Sequence, residues 1–69
     1  ITHLDLHGER HFDVPMIVLD FAFQYQKELP LIVICGNSNQ MINIVTSELQ
    51  KNSFVYSSPR FGIIRIEGL

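Results

Sequence analysis

Asp5 and His7 stand two residues apart in the stretch LDLHG, Leu4 to Gly8, near the start of a 69-residue chain. On an extended strand that spacing puts both side chains on one face. A carboxylate beside an imidazole stabilises the imidazolium and orients the ring, as general acid–base chemistry near neutral pH requires. A solvated Asp–His pair at a strand end has the same spacing, so spacing alone leaves both readings open. His3 extends the pattern to H-x-D-x-H, which contains metal-ligand residue types. Four residues of strand span about 13 Å, however, so His3 and His7 cannot share one ion without a bend. Asp5 with one histidine, joined by His11 from the following loop, is the most that spacing allows, and no metal site is expected.

A second stretch, CGNSN (Cys35 to Asn39), falls between an apolar run and a helical pattern. A strand-to-helix turn of this kind exposes backbone N–H groups at the positive end of a helix dipole, which suits an anion. Gly36 permits a tight turn, and Asn37, Ser38 and Asn39 add neutral donors. A plain turn with an N-cap fits the same residues. Cys35 reads as a strand-end packing residue rather than a nucleophile. Arg60, beside Pro59 in a later turn, can reach a phosphate or simply be solvated.

These residues need a scaffold. THLDLH alternates strictly, Leu4 and Leu6 facing one way and His3, Asp5 and His7 the other, which predicts a half-buried strand ended by Gly8. Asp13 is placed to cap a helix whose apolar stripe runs through Val14, Ile17, Val18, Phe21, Ala22, Tyr25 and Leu29 until Pro30 stops it. Pro15 is tolerated in its first turn. LIVIC, Leu31 to Cys35, predicts a central strand. A second helix, capped by Ser38 or Asn39, buries Met41, Ile42, Val45 and Leu49. FVY predicts a third strand, SSPR a turn and FGIIRIE a fourth strand. The order β-α-β-α-β-β predicts a two-layer α/β sandwich over residues 1–69, a four-stranded mixed sheet with two helices on one face. Met16, Leu19 and Phe23 fall opposite the core stripe of the first helix and form a candidate partner or homodimer surface.

Composition sets limits. One cysteine forms no internal disulfide, which favours a reducing, cytoplasmic compartment. No apolar stretch of about 18 residues is present, so no membrane-spanning helix is expected. A first residue of Ile suggests that residues precede it in the native chain. Five Lys and Arg against seven Asp and Glu give a net charge of −2, so any phosphate-binding surface must be local.

LDLHG at the end of a first strand, the glycine turn after the second strand, and FGIIRIEGL at the close resemble the small MutS-related (Smr) domain family across essentially the whole chain. The resemblance implies a βαβαββ sandwich similar to the C-terminal domain of a translation initiation factor. It also implies endonuclease activity on DNA or RNA, with Asp5 and His7 as catalytic residues. The family's second loop reads like TGKGxHS where this chain has CGNSNQM. Asn37 replaces the lysine, Ser38 the second glycine, Gln40 the histidine and Met41 the serine. The chain therefore looks like a short divergent member, in which nucleic-acid contact survives the comparison better than catalysis.

The leading expectation is a DNA- or RNA-binding domain with endonuclease activity through Asp5 and His7, its backbone contacts made by Gly8, Gly36, Asn37, Ser38, Asn39 and Arg60. The alternative is a non-catalytic nucleic-acid or protein interaction module, dimeric through Met16, Leu19 and Phe23, or a structural piece of a larger parent protein. No cofactor follows from the residues.

Overall fold

A computed structural model describes residues 1–68; Leu69, the last residue of the closing FGIIRIEGL run, lies outside the described residues. The elements are β1 (His3–Asp5), α1 (Val14–Gln24), a 3₁₀ turn (Gln26–Glu28), β2 (Leu31–Ile34), α2 (Asn39–Lys51), β3 (Val55–Arg60) and β4 (Ile63–Gly68). They form one mixed sheet in the order β1-β2-β4-β3. β1 and β2 run parallel, and β4 runs antiparallel to both β2 and β3. Both helices cover the same sheet face. Val14, Val18, Phe21 and Ala22 of α1 meet Met41, Val45 and Leu49 of α2 over Leu6, Leu31, Val33, Ile64 and Ile66.

Strand composition explains strand position. β4 supplies Ile64 and Ile66, both fully buried, and takes a central place. β3 carries Ser57, Ser58, Pro59 and Arg60 and takes the edge, where a proline's missing N–H costs no ladder bond. SSPR is therefore strand rather than the expected turn, and the turn is the pair Phe61–Gly62. A register shift between Ser57 and Arg60 absorbs Pro59. The Ser58 hydroxyl lies 3.1 Å from the carbonyl oxygens of both Arg60 and Ile63, tying the irregular stretch back to the hairpin.

Two helix expectations are corrected. Asp13 precedes α1 as expected, but its backbone is already helical (φ −87°, ψ −17°) and its side chain makes no capping bond. The preceding residues close their own turn instead, with Asp13 N–H on Arg10 O and Val14 N–H on His11 O. α1 also ends at Gln24 rather than running to Pro30. Pro30 confines Leu29 to extended backbone (φ −55°, ψ 143°), and Gln26–Glu28 tighten into a 3₁₀ turn before it. α2 behaves as read: Ser38 Oγ accepts the Met41 N–H at 3.1 Å, the bond that defines an N-cap.

The loops after β1 and β2 and the β3–β4 hairpin all lie at one edge of the sheet. The chain enters β1 and leaves β4 at the opposite edge, where Leu31 pairs with Ile66. The loop edge is held by a close approach. Cys35 N–H donates to Gly62 O at 2.7 Å. A Cβ built on Gly62 would sit 2.5 Å from Gly36 O, and Gly62 has φ +86°. Gly8 has φ +83° but open space around it. Gly8→Ala should therefore cost about 1 kcal/mol of backbone strain alone. Gly62→Ala should cost more than about 2 kcal/mol, because strain and backbone collision add. Urea unfolding of the two variants checks the order, and equal losses would show that the Gly62–Gly36 contact constrains nothing.

Candidate functional site

The loop after β1 is built by two hydrogen bonds. Glu9 N–H donates to Leu6 O at 3.0 Å, closing a four-residue turn in which Gly8 takes the positive φ. Asp5 Oδ1 accepts the His7 backbone N–H at 2.9 Å, the local bond of an Asx turn. LDLHG is thus a strand end that turns on its own aspartate. β1 stops at Asp5, and His7 belongs to the turn rather than to the strand face. The Asp5 carboxylate therefore engages the backbone of His7, and no hydrogen bond between it and the imidazole occurs among the described residues. Its work is to hold the loop. Both side chains are exposed.

Ladder register places the remaining residues. Asp5 pairs with Ile34, Ile34 with Ile63, and Ile63 with Arg60, so one row crosses the whole sheet from Asp5 to Arg60. Three strand spacings put its ends about 14 Å apart. Gly36 and Asn37 lie above the middle of that row and lead into α2 through Ser38, whose hydroxyl is occupied as the helix cap. Gly8, Gly36, Asn37, Ser38, Asn39 and Arg60 thus come to one edge with Asp5 and His7. Gly8, Gly36, Asn37, Asn39 and Arg60 are exposed, and Ser38 is half-buried.

The sequence reading overlooked two residues of this edge. Phe12, in the turn before α1, is 91% exposed, and Phe61, at the tip of the β3–β4 hairpin, is 59% exposed. Phe12 lies in a loop outside any apolar period, whereas Phe61 reads as the first residue of the strand FGIIRIE; the structure starts β4 at Ile63 and leaves Phe61 in the turn. In contrast, the candidate partner surface on α1 is partly internal. Leu19 packs against the core, whereas Met16, at 72% exposure, and Phe23, at 47%, stay open, the Phe23 ring meeting Phe54 edge-on at 5.2 Å.

Cys35 is a packing residue. It is 7% exposed, and burial pushes its thiol from 9.0 up to about 11. A thiol held protonated at neutral pH is a poor nucleophile and a poor metal ligand. Among the described residues no group of three or more His, Cys, Asp or Glu side chains is placed to hold a metal ion. No helix among them is long and apolar enough to cross a membrane. Compared with protein-family models, curated proteins and solved structures, the chain matches none.

Two outcomes follow from these local bonds. Ser38→Ala should lower stability by about 1 kcal/mol in thermal or urea unfolding, the usual cost of a lost N-cap. For Cys35, the native thiol keeps its proton between pH 9.0 and about 11, where the unfolded chain has released it. Fewer protons on the unfolded state mean that stability falls as pH rises through that window. The contribution is intact below pH 9.0. Subtracting the stability–pH profile of Cys35→Ala from that of the parent chain should leave this decline; a flat difference would refute the buried-thiol assignment.

Proposed function

We propose that this chain is an Smr-type nucleic-acid-binding domain whose loop edge grips a phosphodiester backbone, with His7 able to transfer a proton in slow phosphodiester cleavage. One observation carries the reading. The row from Asp5 to Arg60, with the turns above it, collects two glycine loops, a helix N-terminus, an imidazole and an arginine on one sheet edge. The tasks divide by chemistry. Backbone N–H groups between Gly36 and Asn39, at the start of the 13-residue α2, suit a phosphate. Arg60 adds a fixed cation at the far end of the row. Asp5 is a positioning residue, because its bond to the His7 backbone aims the turn that carries the imidazole. His7 is the catalytic residue, accepting a proton from the attacking oxygen or supplying one to the leaving oxygen. Phe12 and Phe61 offer ring faces to unpaired bases.

The same edge limits the activity. CGNSN contains no lysine or histidine, so His7 works without a second proton carrier from that loop. Arg10 and Arg60 share the loop edge with Asp5, Glu9 and Asp13, a charge balance that predicts modest affinity with a shallow salt dependence. That scarcity of titratable groups in the second loop is what favours the non-catalytic reading, in which the edge binds without cleaving.

Labelled single-stranded RNA and nicked or branched DNA provide the test. His7→Ala should reduce cleavage about 100-fold while binding changes little. Arg60→Ala should weaken binding and lower the salt slope by about one. Equal cleavage by the parent chain and His7→Ala would assign the activity to a contaminant and end the catalytic role. Binding that is indifferent to salt would remove nucleic acid altogether, whereas salt-dependent binding without cleavage would establish the non-catalytic reading.

A further inference from the structure

Among the described residues the outer edge of β1 is unpaired, and a groove runs beside it. Ile32 N–H donates to Thr2 O and Leu6 N–H to Ile34 O, each at 3.0 Å. In a parallel ladder, alternate residues bond the neighbouring strand, so Thr2, Leu4 and Leu6 face β2. The N–H and C=O groups of His3 and Asp5 therefore point away from the sheet. Between this edge and α1 lies a groove of about 370 Å³, with His3 and Leu4 on one wall and Ile17, Asp20, Phe21 and Tyr25 on the other. Ile17, Phe21, Tyr25 and Leu4 make its floor apolar, and the exposed Asp20 makes its rim acidic. Glu28, which accepts the Thr2 hydroxyl at 2.9 Å, adds a second carboxylate near the start of β1.

We propose that this groove binds an extended peptide, which joins the sheet as a fifth strand beside β1. The peptide backbone pairs with the outward groups of His3 and Asp5. One apolar side chain enters the groove over Ile17 and Tyr25, and a lysine or arginine two positions along the strand, on the same face, meets Asp20. Three properties select this occupant. The free groups are main-chain donors and acceptors at strand spacing, which another strand matches directly. The floor is apolar, and side chains of a strand alternate toward it. The carboxylates disfavour a phosphate chain and favour a basic peptide. A second copy fits less well, because pairing two β1 edges would bring two Asp20 rims together. The surface is the side edge of the sheet, so this proposal is independent of the nucleic-acid reading of the loop edge.

The probe is a capped hexapeptide of sequence TKTVTK, whose valine and lysines share one strand face, titrated into the isotope-labelled full chain and followed by amide NMR. Shift changes should centre on His3–Asp5 and on the Ile17 to Tyr25 side of α1, with slowed exchange of the His3 and Asp5 amides. The acidic analogue TETVTE should bind about fivefold more weakly, the upper range for one exposed ion pair. Asp20→Lys, a substitution on an exposed helix position, should weaken TKTVTK by the same factor while leaving the circular dichroism unchanged. Of two analogues N-methylated on opposite sets of alternate residues, one should lose binding and the other keep it. The proposal is overturned if no shifts occur at about millimolar peptide, if they centre elsewhere, or if both methylated analogues bind equally. Concentration-dependent protection of His3 and Asp5 in the free protein would assign the edge to a second copy and overturn it too.

Discussion

The whole loop edge hangs on the approach of Gly62 to Gly36. Cys35 N–H reaches Gly62 O at 2.7 Å, and no side chain of any size fits at Gly62, because its first carbon would strike the Gly36 carbonyl. This contact is backbone against backbone. It joins the exit of β2 to the entrance of β4, which fixes the path of the chain into α2 and the position of the hairpin tip. Arg60 and Phe61 thereby gain a set place relative to Gly36 and Asn37. A sheet that ended less tightly would still have a core, but its loops would not share a frame.

Such a frame matters because the core carries no directional information. Among the described residues no polar side chain is buried, and the interior is aliphatic and aromatic apart from the Met41 thioether and the Cys35 thiol. Dispersion and hydrophobic burial hold the two layers together without choosing how the loops lie. Direction comes from a handful of local bonds: Asp5 on the His7 N–H, Ser38 on the Met41 N–H, and Ser58 on the hairpin carbonyls. Each acts within a few residues of its own position. The lone ion pair among the described residues, Lys51 with Glu48 at 3.8 Å, lies along α2 and contributes little to the arrangement.

That division between core and local bonds explains what could be read in advance. Apolar periodicity reports burial, so the βαβαββ order, the core faces of both helices and the packing role of Cys35 were legible. Ser38 was legible as one of two caps, because short polar residues before an apolar helix have few other uses. Pairing order was not legible: nothing local to FGIIRIE states that it will insert between β2 and β3. The SSPR stretch misled because Ser and Pro usually mark turns, whereas an edge strand tolerates both once a bulge removes the need for a proline N–H. At the candidate site, alternation placed Asp5 and His7 on one face. The Asx bond that turns the chain at Asp5 depends on backbone geometry that alternation does not encode. Phe12 escaped notice because one exposed ring in a loop breaks no periodic pattern, and Phe61 because it reads as the first apolar residue of the closing strand rather than as the tip of a turn.

The chain enters β1 and leaves β4 at the edge opposite the loops, with only β2 between the two strands. Two strand spacings, about 10 Å, separate those points. The fold therefore behaves as a plug on a two-pronged handle. Covalent attachments at either end project away from the loop edge, and a short bridge between the ends would give a ring without disturbing any loop. A domain wired this way can be inserted within another polypeptide, or carried at its tip, while its glycine loops keep facing outward.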